Sequence, residues 1–312
     1  MALGKLGEED IISRLSDDVL IHILLRLQTK DAVRTCVLSS RWRNLWTLIY
    51  NFYFDDGEDD PFGRDPSFEK FVDGVLSVCQ SKDVHNFYLD CTMISDDEIS
   101  HVVPWISFAV EHKVRNLNLK VDIDRVGVWL VRLPQSLLTC SSLVELTMLS
   151  DCIFDIPESS VVCFPSLKII FMSIRSPDGN LMKKLFKNCP ILEDLSIHGS
   201  NLNNEDESTF DINVSTLKMF RIWLVTIDEL EVNHAMELLR GINCTKSLSL
   251  TAYTMEFISL AINDEMPTFS NLIHLELGIK ACFGRKLLPR FLAISPNLEV
   301  LILEMVSSIV IN

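Results

Sequence analysis

Leu192-Glu193-Asp194-Leu195-Ser196-Ile197 is one instance of a pattern that recurs along most of the chain. Its last three residues, apolar–x–apolar, return as Phe87-Tyr-Leu89, Leu117-Asn-Leu119, Leu146-Thr-Met148 and Ile170-Phe-Met172. They continue as Phe220-Arg-Ile222, Leu248-Ser-Leu250, Leu275-Glu-Leu277 and Leu301-Ile-Leu303. Successive first positions lie 30, 29, 24, 25, 25, 28, 27 and 26 residues apart. In six of the nine, a Leu stands three residues earlier: Leu143, Leu167, Leu192, Leu217, Leu272 and Leu298. Alternation over three residues is strand spacing, and a fixed period of this length marks an array of stacked units. No unit can bury its apolar side alone, so neighbours must stack into a curved parallel sheet with helices outside. Helices are expected over Leu181–Lys187, Val232–Leu239, Met255–Ile262 and Arg285–Ala293.

If the two apolar residues of each strand point inward, the residues flanking them face out of the concave side. Three columns follow. The first runs Asn86, Asn116, Glu145, Ile169, Asp194, Met219, Ser247, His274, Val300. The middle runs Tyr88, Asn118, Thr147, Phe171, Ser196, Arg221, Ser249, Glu276, Ile302, and the third runs Asp90, Lys120, Leu149, Ser173, His198, Trp223, Thr251, Gly278, Glu304. Leu149, Ile169, Phe171, Met219, Arg221 and Trp223 group apolar and aromatic side chains with an Arg in mid-array, the composition of a protein-recognition patch. They are the expected substrate-binding residues. Cover by loops such as Asn201–Asp211 is the competing reading of the same columns.

The first fifty residues differ in character. They carry seven Lys/Arg against six Asp/Glu, whereas residues 51–312 carry 21 against 37, within a formal net charge of −15. Ser16 caps a first helix with Asp17 and Asp18 in its first turn, where acids suit the helix dipole. Val19, Leu20, Ile23, Leu24 and Leu27 follow at helical spacing. Thr29 opens a second helix, and Ser39 or Ser40 a third with Trp42, Leu45 and Trp46. Three short helices make a thin core that gains from a partner.

Asp10 to Leu24, Thr29 to Ser39 and Leu38-Ser-Ser-Arg-Trp-Arg-Asn-Leu-Trp46 together resemble a plant F-box, and the repeated pattern resembles the irregular leucine-rich repeats that follow it in a large plant family. The resemblance implies docking on a Skp-type adaptor of cullin-based ubiquitin ligases. It points to Leu15, Ser16, Leu20, Ile23, Leu24, Val37, Leu38, Trp42, Leu45 and Trp46 for the adaptor interface and the module's core. The family usually has Pro where this chain has Ser16, and often Pro where it has Gln28. Pro fixes φ at a helix start, so a modest loss of adaptor affinity is expected.

The expected organisation is α/β: a tail over 1–9, an F-box over 10–50, an acidic linker over 51–66 and a solenoid of about nine repeats over 67–312. Asp55, Asp56, Glu58, Asp59 and Asp60 with Gly57, Pro61, Gly63 and Pro66 read as an exposed connection. A helix is expected from Ser67 through Cys79. The family often continues into a further C-terminal domain, whereas this sequence stops just after the ninth strand.

Acidity argues against a broad nucleic-acid surface. The nine cysteines lack zinc spacing, and with no signal-like start they read as free thiols of the cytoplasm or nucleus. No apolar run is long enough for a membrane helix. None of the nucleotide, zinc-protease or nucleophile-elbow motifs occurs, so no cofactor, metal or catalytic residue is expected. The expectation is a non-catalytic substrate receptor of an SCF-type ligase, with an unidentified target protein. The alternatives are a ligase-independent repeat scaffold and a small-molecule receptor.

Overall fold

The computed structural model describes residues 12–57, 67–93, 96–123, 130–150, 153–155, 161–174, 184–199, 214–224, 239–260, 266–279 and 284–305. The expected tail 1–9, the acidic residues 58–60 and the loop Asn201–Asp211 lie outside them.

Each apolar–x–apolar triplet is a strand, and the strands pair in parallel in chain order. They are β1 (Asn51–Asp55), β2 (Asn86–Met93), β3 (Asn116–Ile123), β5 (Glu145–Ser150), β7 (Ile169–Ile174) and β8 (Asp194–Gly199). The row continues through β9 (Met219–Leu224), β10 (Ser247–Leu250), β11 (His274–Ile279) and β12 (Val300–Met305), giving ten strands in one sheet. A separate pair, β4 (Leu130–Arg132) with β6 (Ile153–Asp155), was not anticipated.

β1 corrects the expected linker. Residues 51–55 pair with 86–90, so the sheet begins within the segment read as acidic. Ile49-x-x-Phe52-x-Phe54 is a repeat core with all three apolar residues buried. It stands apart from the repeat pattern because Phe87 lies 35 residues further on, outside the period, and because five acids follow it.

The repeat's buried ladder explains the register. At the upstream Leu position, the three repeats without Leu use Val84, Val114 and Thr245, all buried. Thr245 is polar, but its hydroxyl donates to the Ile242 carbonyl, which removes the cost of burying it. Three residues earlier still, Cys140, Phe164, Cys189, Val214, Phe269 and Ser295 fill the turn into each strand and are buried. Burial pushes the Cys189 thiol up to about 12, with a smaller contribution from Cys163, so it is an inert packing residue. The entry to each strand is tied to the previous repeat. The Ile169 N–H donates to Val144, Asp194 to Lys168, Met219 to Glu193, and Ser247 to Lys218.

The helices are α1 (Asp17–Leu24), α2 (Thr29–Arg34), α3 (Trp42–Leu45), α4 (Phe68–Val78), α5 (Asp96–Glu111) and α6 (Gln135–Leu138), then α7 (Ala252–Leu260) and α8 (Gly284–Ile294). Residues 184–187 and 239–241 are also helical. These cover the described parts of the four expected helices, α7 starting three residues early. α5 was missed although Val102, Trp105, Ile106 and Ala109 give it a buried stripe; Pro104 inside it masks the signal. None of the described helices is long and apolar enough to cross a membrane.

The N-terminal module is welded to the array. Buried Thr29 accepts the Tyr53 N–H of β1 at 2.7 Å, Gln80 donates to Thr47, and His85 donates to Tyr50. One apolar core runs from Leu20 and Trp42 through Phe52 and Phe87 into the repeats.

Candidate functional site

Two surfaces come from the fold, one on the helical module and one on the concave sheet face.

On the module, Ser16 (φ −68°, ψ 158°) caps α1, its hydroxyl accepting the Val19 N–H at 3.4 Å. Arg41, just before α3, reaches back to α1. Its Nε donates to the Asp17 carboxylate at 2.8 Å and its Nη2 to the Leu15 carbonyl. Gln28 caps α2 only by backbone, at φ −62°. Both cap positions therefore hold the φ that Pro would impose, so the two departures from the usual motif leave the local conformation intact. Gln28→Pro is expected to stabilise the chain by about 0.4–1 kcal/mol, read as a raised urea midpoint at unchanged slope. Ser16→Pro gives up the Ser16 cap and gains less.

The structure divides the ten residues singled out for the adaptor. Leu20, Leu24, Trp42 and Leu45 are buried in the module's own core, the second of the two roles expected of the set. Leu15 and Trp46 are half-buried against that core, and Ser16 is spent on the cap. Ile23 (41% exposed), Val37 (83%) and Leu38 (63%) lie at the surface. Val19 (43%) and Leu27 (40%) join them and were not singled out. The reason is geometric. Positions 19 and 23 lie on one i, i+4 ridge of α1 and 20 and 24 on the adjacent one, with Leu27 in the bend after the helix. Only the second ridge faces inward, and periodicity alone does not separate neighbouring ridges.

On the sheet, the pairing reproduces the three columns row by row, from Asn86↔Asn116↔Glu145 to His274↔Val300. β1 adds Asn51, Tyr53 and Asp55. Thr251 and Gly278 leave the face. β10 ends at Leu250, and the chain entering α7 passes over buried Gly278.

In mid-array Ile169 is exposed, and Leu149, Phe171, Met219, Arg221 and Trp223 are half-buried. The Phe171 and Trp223 rings lie 5.8 Å apart, spanning β8 and covering Ser196. Arg221 is already engaged. Its Nη1 donates to Asp194 at 3.0 Å and Ser196 at 3.0 Å, and its Nη2 meets the Met219 sulfur. Burial pushes the Asp194 carboxyl up, and Arg221 opposes that shift. Arg221 therefore stands in the patch with its charge balanced by Asp194.

Towards β1 the face is polar. Asn86 donates to Asn51 at 2.8 Å and Asn116 donates to Asn86 at 2.7 Å, an amide ladder across three strands. Tyr53 and Tyr88 stack at 4.2 Å with parallel rings. The Tyr88 hydroxyl donates to Asp90 at 2.9 Å, and Lys120 pairs with the same carboxylate at 3.2 Å. Burial, with the Asp90 bond and charge, pushes the Tyr88 phenol up, so it stays neutral. Among the described residues, no group of three or more His, Cys, Asp or Glu is placed to hold a metal.

Comparison with known proteins matches both parts of the fold. Residues 12–53 match the F-box domain. Residues 102–255 match the repeats described as "FBD-associated F-box protein At5g56370, LRR repeats". The Arabidopsis thaliana F-box protein At3g44060 is 32% identical over 343 residues, covering 93% of this chain and 78% of the relative. F-box/LRR-repeat protein 13 of the same plant is 37% identical over 196 residues, 62% of this chain and 42% of that protein. The FBD-associated F-box protein At1g66310, also from Arabidopsis thaliana, is 27% identical over 360 residues, 96% of this chain and 78% of the relative. With its helical module welded to a ten-stranded parallel solenoid and relatives that match 93% and 96% of its length, the chain belongs to the plant F-box/leucine-rich-repeat family.

Proposed function

We propose that this chain is the substrate-recognition subunit of an SCF-type ubiquitin ligase. The F-box docks a Skp-type adaptor, and through it a cullin, while the concave repeat face holds a target protein. Ubiquitin transfer belongs to the other subunits, and this chain supplies proximity and orientation. The observation that carries the reading is the exposure of Val37, Leu38, Ile23, Val19 and Leu27 on a module whose own core is already filled. Large apolar side chains left in water on so small a module are the surface a partner would cover. The same reading locates the protein in the cytoplasm or nucleus, with free thiols.

The test is co-expression with a plant Skp-type adaptor and purification through a tag on the adaptor. Stoichiometric recovery of the chain supports the reading. A folded chain that elutes separately from the adaptor sinks it and leaves a ligase-independent scaffold.

A further inference from the structure

Between β2 and β5 the concave face has a depression of about 220 Å³, lined by Asn86, Tyr88, Asn116, Asn118, Glu145 and Thr147. Its chemistry is one-sided. The ladder's polarity runs towards β1, each amide N–H donating to the preceding strand, so the Asn116 Oδ1 is left as its terminal acceptor. The next residue in that row is Glu145, half-buried and in no ion pair with a described residue. Asn118, in the middle row, has a buried Oδ1 with no hydrogen-bond partner. A buried amide oxygen left unpaired costs about 1–3 kcal/mol, and Asn118 lines the depression.

The aromatic wall completes the arrangement. Tyr53 covers one face of the Tyr88 ring. Because the strands run β1-β2-β3, the other face looks over Asn118. Tyr88 and Glu145 stand two strand spacings apart across the sheet and two residues apart along it, a diagonal of about 12 Å, with only short side chains between them. That gap suits a planar cation stacked on the ring at one side and hydrogen-bonded to the carboxylate at the other. Charge favours the same occupant. The two cations of the face, Lys120 and Arg221, are each paired to an Asp, and the chain as a whole carries −15.

We propose that this depression is an arginine site: it receives the guanidinium of one Arg in an extended segment of the target protein, sandwiched between the Tyr88 ring and the Glu145 carboxylate. The proposal rests on the concave face being the target-binding surface. Guanidinium fits better than ammonium because it offers both a flat face and a fork of donors.

The probes are acetylated, amidated Gly-Ser-Xaa-Ser-Gly peptides with Arg, Lys or citrulline at the centre, titrated onto the full chain by ligand-detected NMR. Citrulline keeps the shape of Arg and removes its charge. The Arg peptide is expected to bind at least tenfold more tightly than the citrulline peptide, and more weakly as salt is raised. Glu145→Gln should lower Arg affinity about tenfold, the scale of one charge-assisted hydrogen bond. Tyr88→Leu should weaken Arg more than Lys. Circular dichroism checks that each variant is folded.

Equal binding of Arg and citrulline peptides, no binding of the Arg peptide, or Arg affinity unchanged in a folded Glu145→Gln chain would each overturn the site. Trp223→Ala separates this failure from that of the broader reading. If Trp223→Ala weakens the peptides and Glu145→Gln does not, the concave face still receives peptide and only the arginine site falls. If the peptides bind and neither variant matters, both fall.

Discussion

Val37→Asp with Leu38→Asp is expected to abolish adaptor capture and leave folding almost unchanged. The two side chains are 83% and 63% exposed, so the chain loses little packing when they become polar. A partner that buries them gains about 1.5–3 kcal/mol from each. The double variant forfeits that gain and adds two carboxylates that must be stripped of water. A loss of 4 kcal/mol or more lowers affinity roughly a thousandfold. Adaptor pull-down should therefore fall to background while the melting temperature stays close to wild type. Trp42→Ala makes the instructive contrast. Trp42 is buried, and truncating it should cost about 3–5 kcal/mol of stability, so that variant fails to bind because the module fails to fold. Full adaptor recovery with the Val37/Leu38 double variant would show that the adaptor sits elsewhere.

The largest effect on folding from the smallest chemical change is expected at Gly278. A Cβ there would stand 2.3 Å from the Ala252 backbone nitrogen and 2.8 Å from the Thr251 carbonyl carbon. Both are main-chain atoms at the start of α7, with no flexible side chain to yield. Gly278 also sits inside β11, paired with Glu304 of β12, so it cannot retreat without straining that ladder. Gly278→Ala is expected to destabilise the chain by about 3 kcal/mol, at the upper end for overpacking. It should appear as a lower urea midpoint. An added methyl at Gly74, with nothing within 4 Å of its Cβ position on α4, is the control and should not destabilise. An unchanged midpoint for Gly278→Ala would mean that the approach of α7 to β11 is not tight in solution.

The array was legible because its period and alternation are the fold. Leu192 to Ile197 and its eight counterparts sit in register, and the inward rows follow from a two-residue period that any slip would invert. β1 was hidden because Phe52-Tyr-Phe54 runs straight into Asp55 and Asp56, and composition argued more loudly than alternation. In fact Asp56 is buried, its carboxylate accepting the Thr92 N–H at 2.6 Å, so one acid of that cluster is structural. The split of the F-box residues into core and surface lay beyond sequence because Leu20 and Ile23, or Trp42 and Val37, are chemically alike. Their difference is tertiary, set by Arg41 drawing α3 towards α1 and by β1 closing the other side. The polar rows at Asn116, Asn118 and Glu145 could be placed on the face from sequence. Their emptiness could not, since it depends on which amide oxygens the ladder leaves over.

The in-line pairing of the strands acts as a ruler. From β3, beneath the arginine depression, to β8, beneath the Phe171–Trp223 lid, are three strand spacings, or about 14 Å. An extended chain advances about 3.3 Å per residue, so a segment crossing the strands covers that span in about four. A degradation signal read by this face would then be a spacing rule: one arginine, then an apolar residue about four positions away.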